Sequence, residues 1–264
     1  MPELPEVEIV VRGLTSRVLG RRITDFTTRQ PKAINVTPQE FRLRVQQQVT
    51  GIERHGKSAV LRLGHDSLWL HLGLNGQALY DAPSKSPPAR PPMIRFVFDD
   101  GSALRLERLF MGHAHLLTPA ESAARQAELG LDALSPNLTQ PWLSALAESK
   151  PNLGAKALLM EQKLLAGIGN VYSDEVLHRS GIHPARKLGS LSGQGLASLH
   201  RAIEAVLAEA VEAGGDESYA DLDGRRGRYA CRIHGRDVCG VCGGPAERRA
   251  LGGRTAYWCP NCQR

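Results

Sequence analysis

Hydrophobic spacing changes period part-way along this 264-residue chain. Over residues 3–19, Val7, Val10, Val11, Leu14 and Val18 recur at helical spacing and Gly20 supplies a stop, which predicts an opening helix. Thr37-Pro38-Gln39-Glu40 has the cap, first-turn proline and capping acid of a short helix ending near Gln47. The segments 49–54, 58–63, 67–72, 77–80, 94–98, 103–108 and 113–117 are short apolar or alternating runs broken by Gly, Asp and Pro. Strands of that length and spacing predict a sandwich or barrel-like pair of sheets. Proline excludes Ala82 to Pro92 from a central strand, so this stretch reads as a mobile, extended loop. Beyond Leu117 the period turns helical: a linker helix at 120–129, a loop from Asp132 to Gln140, then helices over 141–148, 154–165, 171–179 and 192–213. Strands followed by helices, with no internal repeat, predict an α+β multidomain chain carrying a small appended module.

No apolar run approaches the ~18 residues that would cross a membrane, and no charged n-region with an apolar h-region opens the chain. A cytoplasmic, nucleoid-associated protein without a membrane partner is expected. Net charge is +6, but residues 225–264 alone carry +7, with nine arginines against Asp237 and Glu247, and the other 224 residues sum to −1. Arginine concentrated in one segment points to a phosphate-rich partner held by bidentate contacts.

All five cysteines lie in that same segment. Cys239-x-x-Cys242 and Cys259-x-x-Cys262 have the paired spacing of a tetrahedral zinc site, and an odd count argues against a disulfide framework. Residues 245–249 and 254–258 read as two strands joined at Gly252-Gly253, with Arg254 at the tip and Cys231 outside the set. A module of this size cannot bury a sufficient core alone, so the metal would supply much of its folding energy.

Other chemistry is more dispersed. In Lys163-Leu-Leu-Ala-Gly-Ile-Gly-Asn170 a helix is expected to end at Gly167 and Asn170 to cap the next one, leaving N–H groups where a phosphate could dock. A plain helical hairpin with no ligand fits the same residues. Lys57 and His71 fall in the strand region. At the start, Met1-Pro2-Glu3-Leu4-Pro5-Glu6 would leave a free secondary amine at Pro2 once Met1 is trimmed. An α-amine with pKa near ~8 is partly uncharged and nucleophilic at neutral pH, and Glu3 follows it as a proton shuttle. Alone, those residues are better described as an ordinary helix start.

Taken together the motifs closely resemble the formamidopyrimidine-DNA glycosylase / endonuclease VIII family of base-excision repair enzymes. The likeness spans the chain: Pro-Glu-Leu-Pro-Glu-Val-Glu at 2–8, Lys57 in R-x-G-K, His-Leu-Gly-Leu-Asn-Gly at 71–76, residues 164–177, Ile-His-Pro at 182–184, and Gly253 to Gln263. The resemblance implies an N-terminal β-sandwich with a flanking helix (1–119), a linker (120–135), a helix–two-turn–helix domain with a lesion-capping loop (136–224) and a zinc-finger hairpin (225–264). It implies a monomer acting on damaged DNA with one structural zinc on Cys239, Cys242, Cys259 and Cys262. Pro2 would attack C1′ of the damaged nucleoside and release the base through a Schiff base, and β,δ-elimination would follow. Glu3 would shuttle protons with Glu6 supporting it. Lys57, Asn170 and Arg254 match phosphate grips, and His71 and Lys156 match weaker ones.

The chain departs from the family where the opposite base is read. The void left by a flipped nucleotide is filled in the family by Met, Arg and Phe; here the first position is Leu74. In Glu107-Arg-Leu-Phe-Met-Gly112, matching Arg-x-Phe selects Arg108 and Phe110, whereas matching the glycine selects Leu109 and Met111. Residues 215–222 only loosely match the lesion-capping segment. Oxidised purines, oxidised pyrimidines, and lesions in single-stranded or cross-linked DNA therefore all remain open as substrates. The rival classes are a catalytically inert lesion sensor, disfavoured by the retention of Pro2 and Glu3, and a zinc-ribbon RNA-binding protein.

Overall fold

A computed structural model describes residues 1–83 and 90–264; most of the proline-rich stretch expected to be a loop lies outside the described residues. The chain forms two compact units, Met1–Glu128 with Gly214–Arg228, and Leu129–Ala213 with Tyr229–Arg264.

The first unit opens with α1 (Leu4–Val18), whose apolar face of Leu4, Val7, Val10, Val11, Leu14 and Val18 is buried. Two antiparallel four-stranded sheets follow. One has the order β1 (Ile23–Thr28), β6 (Ile94–Phe98), β7 (Ala103–Glu107), β5 (Gln77–Asp81); the other runs β2 (Gly51–His55), β3 (Ser58–Arg62), β4 (Ser67–His71), β8 (His113–Leu117). Their inner residues, including Phe26, Leu61, Leu68, Leu70, Phe96, Leu104 and Leu106, share a single core with α1 and with α2 (Pro38–Val45). Phe26 stacks on Phe41 at 4.4 Å between ring centroids and lies 5.4 Å from Phe96. A helix α3 (Pro119–Ala127), capped by Thr118, closes the unit.

The sandwich strand absent from the sequence reading is β1. Its buried residues Ile23 and Phe26 are three apart, because the register against β6 shifts between Ile23 and Asp25. A bulge adds a residue to one strand, so the alternation that signals a strand is broken there.

Gly214–Arg228 follows the last long helix in the chain yet groups with the sandwich. Leu222 supplies the anchor: it is buried in the sandwich core, and its carbonyl accepts from the Tyr80 N–H at 2.8 Å. A Cβ on Gly13 would sit 2.8 Å from Leu222 Cδ1, so the segment packs closely on α1 at this glycine. Arg17 and Asp223 add a two-point ion pair at 2.8 and 2.9 Å.

The second unit holds α4 (Gln140–Ser149), α5 (Ala155–Met160), α6 (Asn170–Ser180) and α7 (Gly193–Glu212), with α6 packed on α7. The expected helix over 154–165 stops at Met160, because Leu165–Ala166 (β10) pair in parallel with Leu131–Asp132 (β9). The C-terminal hairpin comprises β11 (Glu247–Leu251) and β12 (Arg254–Trp258). Its two-residue turn, Gly252-Gly253, has φ of 57° and 76°, the positive pair that a tight hairpin requires.

Candidate active site and metal centre

The amine end of the chain sits in the sandwich unit. Pro2 is buried, and Glu3 and Glu6 are 2% and 6% exposed. Glu6 serves as a bracket rather than facing outward: Oε2 accepts from the Glu3 N–H at 2.8 Å and Oε1 from the Asp216 N–H at 3.1 Å. The carboxylate thereby joins the first turn of α1 to the foot of the 214–228 segment. Burial lowers the terminal amine below its ordinary pKa; Glu3 and Glu6 oppose this, and Lys57 reinforces it.

Lys57 lies in the tight turn between β2 and β3, where Gly56 has φ of 56°. Its charge acts on both the terminal amine and His71, so the fold brings these three groups together. His71 ends β4 and receives the Gly73 N–H on Nδ1 at 3.1 Å; burial, then Lys57, holds its pKa down. Its ring stacks on His113 at 5.2 Å, and His113 stacks on His115 at 4.0 Å. Burial and the neighbouring His115 push His113 down to about 3.

Two loops interlock beside this site. Gly73 has φ of 67°, and a Cβ there would fall 2.2 Å from the Phe110 carbonyl. Leu74 N–H donates to that carbonyl at 2.9 Å. The alternatives left by the sequence separate in space: Leu109 is fully buried in the core, while Phe110 and Met111 are 64% and 71% exposed and Leu74 is 36% exposed. Arg108, with φ of 53°, points its guanidinium to Gln77 Oε1.

In the second unit, Asn170 is the first residue of α6 and Gly169 is its cap, contrary to expectation. The Asn170 side chain donates instead to the Thr255 carbonyl at 3.1 Å, next to Arg254, whose side chain is exposed at the hairpin tip. Lys156 was expected among the weaker phosphate grips. The structure places it 2% exposed, with its ammonium on Asp174 and on Ser173 Oγ at 3.0 Å, so it braces α6 from within.

Cys239, Cys242, Cys259 and Cys262 converge with all four sulfurs within 4.8 Å. The Cys239–Cys262 and Cys242–Cys259 separations of 3.9 and 3.5 Å bracket the ~3.8 Å that a tetrahedron of ~2.3 Å zinc–sulfur bonds requires. The Gly244 N–H and the Cys259 thiol hold Cys242 down to about 6, whereas burial and the neighbouring thiols push Cys262 up to about 12. Thiols this close cannot all ionise without a cation between them, so the donor set fits a soft divalent metal. Cys231 is outside the group.

Helix α6 also reaches this centre through residues that sequence reasoning did not single out. Glu175 accepts the backbone N–H groups of Arg232, Ile233 and His234 at 2.8, 3.0 and 2.8 Å. Asp174 meets His234 Nδ1 at 2.7 Å, and His178 Nε2 lies 3.1 Å from Cys239 Sγ. Tyr219, likewise overlooked, donates its hydroxyl to the Leu74 carbonyl at 3.0 Å. Partners 57 to 145 positions away leave no local signature in sequence.

The sandwich thus holds Pro2 and two enclosed carboxylates at the start of the chain, and the helical unit carries a four-thiol hairpin, the parts of a known class of DNA-repair glycosylase that the family comparisons identify. Residues 1–109 match the family model described as the formamidopyrimidine-DNA glycosylase N-terminal domain, and residues 129–221 match the H2TH domain of the same family. The chain belongs to the formamidopyrimidine-DNA glycosylase family. The formamidopyrimidine-DNA glycosylase of Geobacillus kaustophilus is 37% identical over 278 residues, covering all of both chains. The crystal structure of the MutM (Fpg) protein from Thermus thermophilus shares 32% identity at a TM-score of 0.84, covering 99% of this chain and 98% of that one. Lactococcus lactis Fpg, in a complex with DNA containing an abasic site, superposes with a TM-score of 0.88 at 25% identity, covering 99% of each.

Proposed function

We propose that the chain is a bifunctional DNA glycosylase and abasic-site lyase whose nucleophile is the Pro2 amine exposed by removal of Met1. The observation that carries this reading is the geometry of the chain start, where Pro2 is buried with Glu3 enclosed beside it and the charges of Lys57 and His71 converge on the same terminus. The Pro2 nitrogen bonds to C1′ as the C1′–base bond breaks, and the base departs with a proton relayed by Glu3. Opening of the sugar ring leaves an imine of a secondary amine, which has no N–H to lose and stays cationic. That charge acidifies C2′; loss of its proton expels the 3′-phosphate, and a second elimination expels the 5′-phosphate. Lys57, Arg254 and Asn170 would hold phosphates flanking the flipped nucleotide, with His71 a neutral donor or acceptor beside them.

Leu74, Phe110 and Met111 are the exposed apolar tips suited to enter the vacated stack, with Arg108 beside them; burial removes Leu109 from that role. Cys239, Cys242, Cys259 and Cys262 would hold one structural zinc, supplying fold energy to the hairpin that carries Arg254. The helix α6 side chains that grip the lead-in to this hairpin would keep Asn170 and Arg254 in one rigid body.

A panel of oligonucleotides tests both activity and lesion range. Single 8-oxoguanine, 5-hydroxycytosine and abasic sites, in duplex and single-stranded form, are incubated with the untagged chain, and base release and strand cleavage are scored separately. The proposal expects base release and cleavage at the same site, with Pro2→Gly, a primary terminal amine, altered in both. Base release without cleavage would remove the lyase assignment, and indifference to Pro2→Gly would remove the nucleophile.

A further inference from the structure

We propose that Tyr219 is a positioning residue that couples filling of the DNA stack to closure of the pocket around the excised base. This inference rests on the glycosylase reading of the amine site and extends it to how a base is accepted or refused.

Residues 214–228 are held shut as a loop with a narrow neck. Gly227 N–H donates to the Tyr219 carbonyl at 3.0 Å, and a Cβ on Gly227 would fall 2.2 Å from the Gly215 carbonyl, so both strands of the neck are pressed together. One end is tied to the proton shuttle by Glu6, which takes the N–H groups of both Glu3 and Asp216. The other is sunk into the core through Leu222. Between these anchors the loop reaches back to the sandwich through the Tyr219 hydroxyl, which donates to the Leu74 carbonyl at 3.0 Å. Burial, then the carboxylates of Glu6, Glu3 and Asp216, keeps the phenol above its ordinary pKa, so it remains a hydrogen-bond donor.

Leu74 is therefore held at both of its backbone polar atoms. Its carbonyl receives Tyr219, and its N–H donates to the Phe110 carbonyl. A continuous chain of hydrogen bonds runs from the loop over the amine, through the Leu74 peptides, to the loop bearing Phe110 and Met111. A cavity of about 370 Å³ lies along it, with Met1, Gln77, Arg108, Tyr219 and Arg226 in its wall. Any movement of Leu74 or Phe110 into a base stack shifts the carbonyl to which Tyr219 is bound, and with it the wall of the cavity that would hold a flipped base. A base-bearing substrate needs both events together. An abasic substrate leaves the cavity empty and needs only the first.

Tyr219→Phe tests this, since it removes one oxygen and keeps the ring. The kcat/KM for base release from duplexes bearing 8-oxoguanine or 5-hydroxycytosine is measured beside that for cleavage of the same duplex with an abasic site. Loss of a single neutral hydrogen bond in the coupling should lower the ratio of base release to abasic cleavage about five- to tenfold. A 2-aminopurine beside the lesion reports stack insertion, and its fluorescence rise in the variant should separate in time from base release. An unchanged ratio, whether both rates fall alike or neither falls, overturns the proposal while leaving the glycosylase reading standing. Failure of the wild-type chain on every substrate overturns that reading and the coupling with it.

Discussion

At the residue scale the legible parts are those whose partners are neighbours in sequence. Pro2, Glu3 and Glu6 lie within one turn and were singled out together, and the structure adds that the supporting Glu6 accepts from two backbone N–H groups, those of Glu3 and Asp216. Lys156 shows the opposite failure: lysines are rarely buried, and only Asp174 and Ser173, 18 and 17 positions away, reveal why this one is. The histidine stack on β4 and β8 was equally hidden, because register, not sequence spacing, sets His71 opposite His113. It yields a prediction with a definite sign. His113 is held down to about 3 in the folded chain against an ordinary value of ~6.5, so the unfolded chain binds the extra proton between those limits. Stability contributed at this site is complete above about pH 6.5 and is lost as pH falls toward 3. Chemical denaturation of His113→Gln across pH 3 to 7 should show a shallower acid slope than wild type, and equal slopes would refute the assignment.

Elements were legible where periodicity was clean and illegible where pairing overrode it. Helix α7 and all seven sandwich strands read from sequence fall within two residues of expectation at each end, since Gly, Asp and Pro punctuate the strands and α7 keeps one apolar stripe. Strand β1 was lost to its bulge, and the apolar run at 164–168 read as helix although it forms a short parallel bridge. Helix α6 carries the element-scale prediction. Its Asp174, Glu175 and His178 hold the approach to the four-thiol cluster, while Asn170 at its start holds the hairpin. If the four thiols hold zinc as proposed, chelation should do more than unfold the hairpin. Apparent affinity for abasic-site DNA should fall at least tenfold, with recovery on adding zinc, whereas an apoprotein that binds DNA as tightly would show that the metal does not support the proposed phosphate grips.

At the scale of the whole molecule, sequence indicated a strand-rich half followed by a helical half, and the structure forms two compact units that the family comparisons cover. Composition could not show that Gly214–Arg228 groups with the sandwich, because a single buried apolar residue, Leu222, and a few long-range polar contacts hold it there. That return brings the loop to the amine end, so the first unit holds the proposed nucleophile, proton shuttle and pocket wall in one body. The central claim is that the amine of residue 2 forms a covalent imine with an abasic sugar. Reduction with borohydride during reaction of the untagged chain with abasic-site DNA measures it directly. The account predicts one protein–DNA adduct per chain, mapped by peptide mass spectrometry to Pro2 as the first residue. An adduct on a lysine, or no adduct from a chain that still cleaves the strand, would contradict it.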